Sequence, residues 1–314
     1  VNCAPDTFFV KDNEIITTGK PYGYLRTDKQ YENFVAEFEW MHVNKTEVGN
    51  SGFFVWGDAL PVVGSPYTRG IEVQVLVNLE YKDRRTGAVT ATSHGDVFAI
   101  QGAKCKPDRP HPTGGMRCLP SENRAKGGGE WNHYKIVAND GAIKLSVNGK
   151  EVSGVSECRP RKGYLALESE GAECHFRNLK IKELPSTNPN PGDCAIVDEG
   201  FRALFDGLSL NGWKANASDW KVAGDNLRNT GTSEIVTEKS YGPGRLIFDW
   251  KVPGAGGANA MAQYSVTAGG KQTAVTGKAG AWHRATVTVD SSAPIRFAGF
   301  QGVELKNVFY RDGK

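Results

Sequence analysis

This sequence predicts an all-β fold made of antiparallel sandwiches, and three observations carry that expectation. Short apolar runs of period two recur between turn residues, and no stretch sustains a 3.6-residue apolar period. The chain also spends 38 of its 314 residues on glycine, as many tight turns require. Many strands at short spacing argue a sandwich or jelly roll.

Strands are expected over 8–10 and 14–16, on either side of the turn Lys11-Asp12-Asn13. Further strands follow over 34–42, 51–56, 70–76 and 97–100. Residues 131–138 and 143–147 read as a hairpin over Asn139-Asp140-Gly141, whose Asp-Gly is a strong turn signal. Strands over 164–169 and 175–181 close the set. The composition then changes at Pro185-Ser186-Thr187-Asn188-Pro189-Asn190-Pro191-Gly192, which has no apolar face and reads as an extended linker. The expected domains are 1–184 and 199–314, joined by the Pro/Asn-rich linker 185–198.

The second domain reads as a shortened repeat of the first. Trp220-Lys221-Val222-Ala223-Gly224-Asp225-Asn226-Leu227 echoes Phe9-Val10-Lys11-Asp12-Asn13-Glu14-Ile15, and Ala281-Trp282-His283-Arg284 echoes Glu130-Trp131-Asn132-His133. The stretch between the strand over 51–56 and Trp131 has no evident counterpart. It carries Arg69, Glu72, Gln74, His94, Asp96 and the loop between Cys105 and Cys118, so it is expected to be an insert that brings chemistry to domain one.

A net charge of +3 gives no reason to expect nucleic acid or an acidic membrane as partner. No apolar run approaches the ~20 residues needed to span a bilayer. No signal peptide opens the chain, which begins at Val1-Asn2-Cys3 as though a leader or first strand had been removed. There is no phosphate loop, no strand-linked Gly-x-Gly-x-x-Gly, no His-Glu-x-x-His and no Gly-x-Ser-x-Gly. None of the six cysteines lies in a CxxC pair. Cys105 and Cys118 flank a Pro/Gly-rich loop that a disulfide between them would staple, the alternative being reduced, buried thiols. An even cysteine count leans toward an oxidising compartment.

Within Gly70-Ile71-Glu72-Val73-Gln74-Val75-Leu76, the apolar residues face one way while Glu72 and Gln74 face the other. Such a face is either solvated or lines a groove. Glu37 with Glu39, and Glu168 with Glu170, share faces by the same parity; a solvated sheet face is the plain reading for Glu37, Glu39 and Glu170. His94 and Asp96 fit a metal site, an acid/base pair or a capped turn. Trp56 and Tyr67 are candidates for stacking on a pyranose.

Asn50-Ser51-Gly52-Phe53-Phe54, Gly70-Ile71-Glu72-Val73-Gln74-Val75-Leu76, Gly129-Glu130-Trp131-Asn132, Asn148-Gly149-Lys150-Glu151-Val152, Gly163-Tyr164-Leu165-Ala166-Leu167-Glu168-Ser169 and Phe176-Arg177-Asn178-Leu179-Lys180-Ile181 together resemble the 3-keto-disaccharide hydrolase domain family (DUF1080). Leu204-Phe205-Asp206-Gly207 and the residues up to Trp213 look like that family's opening motif, at the head of the second copy. The resemblance implies two tandem concanavalin A-like jelly-roll β-sandwiches, the second degenerate. It also implies a bacterial, exported (periplasmic or extracellular) protein that acts on glycosides or oligosaccharides.

The family name implies cleavage of a 3-keto-glycoside: the keto group acidifies the C2 proton, a base removes it, and the C1 oxygen leaves. On this reading Glu72, Asp96, His94 and Glu168 are the catalytic candidates, and Arg69, Gln74, Trp56, Ser51, His133 and Tyr67 the substrate-binding ones. No cofactor is required, although a divalent metal held by His94, Asp96 and Glu72 is an option. Ordinary two-carboxylate hydrolysis, with Glu72 and Glu168 as the pair, and non-catalytic carbohydrate binding stay open as alternatives.

Overall fold

A computed structural model describes residues 1–78, 80–82, 89–92, 95–111, 115–254 and 260–313, with only the backbone for 80–82 and 89–92. Among these residues the chain is β-structure and turns, with one short 3₁₀ segment at Pro191–Asp193 and no α-helix. Two compact units form: Pro5–Leu60 with Tyr67–Val197, and Val1–Ala4 with Pro61–Pro66 and Asp198–Lys314.

The first unit contains β1 (Phe8–Lys11), β2 (Glu14–Thr17), β3 (Gly23–Arg26), β4 (Phe34–His42), β5 (Gly49–Gly57), β6 (Gly70–Val77), β7 (Glu80–Lys82) and β8 (Val89–Thr92). It continues with β9 (Val97–Ile100), β10 (Lys104–Pro107), β11 (Arg117–Cys118), β12 (Asn132–Asn139), β13 (Ala142–Val147), β14 (Lys150–Arg159), β15 (Tyr164–Ser169) and β16 (Cys174–Glu183). An eight-stranded sheet runs β1-β2-β16-β4-β12-β13-β14-β10, and a six-stranded sheet runs β11-β9-β6-β5-β15-β3. Every pairing is antiparallel. Phe34, Phe38, Trp40, Tyr134, Ile136 and Leu145 from the larger sheet share one core with Phe53, Val55, Val73, Val75, Leu165 and Leu167 from the smaller. This is the sandwich that the period-two patterns predict.

The two sheets differ in their outer faces. β4 alternates buried and half-buried residues, so its outward Glu37 and Glu39 meet solvent. In β6 and β15 every residue is buried. Ile71, Val73 and Val75 point into the core, while Glu72 and Gln74 point away from it and are still only 7% and 3% exposed. The outer face of the six-stranded sheet is therefore covered by other side chains, and burial of acids there carries an electrostatic cost.

The second unit contains β17 (Arg202–Ala203), β18 (Trp213–Ala215), β19 (Trp220–Ala223), β20 (Asn226–Asn229), β21 (Ile235–Tyr241), β22 (Gly244–Lys251), β23 (Met261–Ala268), β24 (Lys271–Lys278), β25 (His283–Val289), β26 (Ala293–Phe297) and β27 (Glu304–Asp312). One sheet runs β19-β20-β27-β22-β25 with β17 added on β27, the other β18-β21-β26-β23-β24. Trp220, Phe248, Trp250, Tyr264 and Phe297 dominate its core.

Strand order corrects one expectation. The run β19-β20-β27-β22-β25 follows the same chain sequence as β1-β2-β16-β4-β12, and β21-β26-β23-β24 follows β3-β15-β5-β6. β24 thus holds the place of β6, so the strand that carries Glu72 is not part of an insert. Among the described residues only β7–β11 and β13–β14 lack counterparts. What differs at β6 is chemistry: Lys271-Gln272-Thr273-Ala274-Val275-Thr276-Gly277-Lys278 has no carboxylate.

The predicted bridge is also corrected. Cys105 and Cys118 are free thiols. Both pack into the core, where Cys105 donates to the Met116 carbonyl (3.3 Å) and Cys118 to that of Leu119 (3.4 Å). Segment 185–197 lies along the first unit: Asn33 donates to the Pro185 carbonyl, the Thr187 amide to Glu32, and the Ala195 amide to Lys162.

Candidate functional site

The site starts with a missing side chain. Gly52 lies in β5 between β6 and β15, on the outer face, where a β-carbon would stand 2.7 Å from Glu168 Oε2 and 2.9 Å from Glu72 Oε1. A β-carbon there would force one of the two carboxyls to shift, so glycine is what lets both converge on this point. Their oxygens lie closer together than the sum of those two distances. Glu170, two residues beyond Glu168, joins them by strand parity.

Burial governs the protonation of this trio. Desolvation, then the charge of Glu170, pushes Glu72 up to about 8. Glu168 is raised well above the carboxylate range, first by burial and then by the charges of Glu72 and Glu170. Burial raises Glu170 as well, opposed by its hydrogen bonds with Glu168 and Tyr67. At neutral pH the cluster holds protons, Glu168 foremost. Its Oε2 is buried with no hydrogen-bond partner among the described residues.

Polar partners extend the cluster along the sheet. Asn50 Nδ2 donates to Glu170 Oε2 at 2.5 Å, and Gln74 Nε2 donates to Asn50 Oδ1 at 2.9 Å. Arg117 donates to Gln74 Oε1 at 2.8 Å and to Asp96 Oδ2 at 2.6 Å, with its guanidinium 3.8 Å over the Phe98 ring. Asp96 is fully buried, and desolvation pushes it up to about 6 against the pull of Arg117. At the other end Tyr67 stacks on Tyr22, ring centroids 6.5 Å apart, and Tyr22 is 46% exposed. Two aromatic rings thus border the acids, one of them open to solvent.

Of the expected residues, Glu72, Glu168, Gln74, Asp96 and Tyr67 come together here. Ser51 lies behind them, fully buried, with Oγ donating to the Glu168 carbonyl at 2.8 Å. Arg69 is engaged elsewhere, holding Asp58 through two 2.9 Å hydrogen bonds. Trp56 is a core residue rather than a platform: its φ of 59° breaks the strand alternation, and its indole donates to the Glu32 carbonyl. His133 belongs to the other sheet, with Nε2 3.8 Å from Glu37. His94 lies outside the described residues. Among the described residues no three metal-ligating side chains converge, and one oxygen of Asp96 is held by Arg117.

Sequence reasoning missed Asn50, Arg117, Tyr22 and the partial burial of Glu170. Parity alone did put Glu170 beside Glu168, and Asn50 two residues before Gly52 on the same face.

A family model described as the 3-keto-alpha-glucoside-1,2-lyase-like domain matches residues 2–182 and 200–281. Comparison with curated proteins found no match. Among solved structures, a Parabacteroides distasonis protein provisionally described as a glycosyl hydrolase is 21% identical, with a TM-score of 0.42 over 57% of this chain and 84% of its own. The carbohydrate-binding module CBM66 from Bacillus subtilis is 11% identical, with a TM-score of 0.41 over 57% of this chain and 92% of its own.

Proposed function

Because the chain belongs to the 3-keto-alpha-glucoside-1,2-lyase-like domain family, we propose that the outer face of its six-stranded sheet cleaves a glycoside oxidised at C3. The observation that carries this reading is the convergence of Glu72 and Glu168 over Gly52: Glu72 becomes the ionised base as the pH approaches about 8, beside a carboxyl that burial holds protonated. A keto group at C3 acidifies the C2 proton, which passes to Glu72. The C2–H electron pair becomes the C1–C2 double bond and the C1–O bond breaks. The departing oxygen takes the proton of Glu168. A carboxylate whose proton affinity is raised by burial is a better base for carbon acids than one in water. Arg117 is the described cation whose field acts on Glu72, and it opposes charge that develops at the enolate. Tyr22 offers the sugar ring an exposed aromatic face.

Two-carboxylate hydrolysis has one observation in its favour. The Glu72–Glu168 oxygen separation cannot exceed the sum of their two distances from the Gly52 β-carbon position, which falls short of the ~6.5–9.5 Å of inverting glycosidases and leaves the retaining form as the hydrolytic option. The second unit, whose β24 carries no acid, is proposed to be a non-catalytic copy that binds or supports. Export to the periplasm or cell exterior belongs to the same proposal.

Product analysis with a 3-keto-glucoside beside its unoxidised parent tests the reading. Cleavage of the keto sugar alone, lost in Glu72→Gln, is expected. Equal cleavage of both would favour hydrolysis, and binding of either without turnover would favour a lectin-like role.

A further inference from the structure

A line of hydrogen bonds from Asp96 to Glu170 runs in one sense only. A guanidinium has donors and no acceptor, so Arg117 can hold Gln74 only by its oxygen. The Gln74 amide nitrogen must then point the other way, where Nε2 meets Asn50 Oδ1. Asn50 is left with its amino group against Glu170 Oε2. Turning Gln74 over would set N–H against N–H at Arg117. Turning Asn50 over would do the same at Gln74 and set a carbonyl oxygen against a carboxylate. The one member that cannot accept fixes the polarity of both amides.

We infer that Arg117 is a positioning residue which, through Gln74 and Asn50, keeps Glu170 the ionised member of the Glu168–Glu170 pair and leaves their proton on Glu168. An N–H donor favours the charged form of the carboxyl it meets. Glu170 has such an amide donor, whereas Glu168 Oε2 has none among the described residues. The other charged or titratable groups that face the pair do not single out Glu170. Tyr67 hydrogen-bonds both carboxyls, and Tyr22 reaches them only behind Tyr67. Glu72 raises Glu168 when it is ionised, but it keeps its own proton up to about pH 8, so below that pH it adds no charge to either. Arg117 and Asp96 act on Glu170 along the relay. Asn50 is the asymmetric element, and Arg117 decides which way it points.

Only the activity arm of the test depends on the proposed lyase reading. Side-chain carboxyl ¹³C titration of the intact, ligand-free protein should show Glu170 ionising below Glu168. In Arg117→Met that order should narrow by about one pH unit, tenfold in the protonation ratio, or invert. Arg117→Lys, also donor-only, should restore it. Gln74→Leu breaks the relay at its second link and gives the same reading if Arg117→Met does not fold. With a 3-keto-glucoside, the pH–rate profile should shift in Arg117→Met and return in Arg117→Lys. An unchanged order of Glu168 and Glu170 in folded Arg117→Met or Gln74→Leu overturns the inference, as does a fall in melting temperature with no change in either titration. Absence of turnover by the native protein would count against the lyase reading and leave the titration arm decisive.

Discussion

Glu72 and Glu168 come from strands on either side of β5 and approach the same vacant point, the position a β-carbon of Gly52 would occupy. The site is thus defined as much by an absent side chain as by the two carboxyls.

Gly52→Ala tests this directly. One methyl group cannot fit without displacing a carboxyl oxygen, and a displacement of about 1 Å at reacting groups costs about 10²-fold in rate. Overpacking of this kind lowers stability by about 1–3 kcal/mol. Turnover of a 3-keto-glucoside should therefore fall by about two orders of magnitude while urea unfolding still shows a folded protein.

Glu72→Gln should separate activity from stability. Loss of a general base lowers kcat by about 10²–10⁴-fold. The folded protein keeps the Glu72 proton up to about pH 8, whereas the unfolded chain releases it near 4.5, the ordinary value for a glutamate. Between these values the unfolded state binds fewer protons, so stability falls as pH rises from 4.5 through 8. The full penalty, on the order of 5 kcal/mol for this group, is present above pH 8. The glutamine variant lacks it, so its urea midpoint should exceed that of the native protein at pH 9 and approach it at pH 5.

Tyr22 should act on binding. Its exposed ring stacked on Tyr67 is placed to meet a pyranose face, a contact worth about 1 kcal/mol. Tyr22→Ala should raise KM about fivefold with kcat nearly unchanged. An equal loss in kcat would assign the ring to the chemistry instead.

Arg69 should behave as a structural residue. Its removal leaves Asp58, which is 8% exposed, with the Ile196 amide as the one hydrogen-bond donor at its carboxylate among the described residues. Arg69→Ala should cost about 2 kcal/mol of stability and leave the KM for a 3-keto-glucoside where it was. A raised KM without loss of stability would return Arg69 to the ligand.

Much of the scaffold was legible because strand periodicity is local. The alternation around Glu72 and around Glu168 gave both strands and the face each acid occupies. Whether that face is wet depends on residues far away in sequence. Glu170 read as a solvated acid because Tyr67 and Asn50, which help to cover it, arrive from other parts of the chain. Arg117 was missed because β11 has two residues and shows no period. Trp56 was misread for the opposite reason: parity puts it with Phe54, but a left-handed backbone turns its indole into the core. The repeat was visible in short echoes, yet β24 shares no acid with β6, and only strand order reveals that one stands where the other does.

The cysteines leave an experimental handle. Four thiols are buried, and the two that are not fully buried, Cys3 and Cys194, fall one in each compact unit. A maleimide dye pair attached under native conditions would place donor and acceptor on different units without any engineered substitution. Energy transfer between them would then read out how far the two bodies stand apart in solution, and whether a sugar added to the acidic face changes that separation.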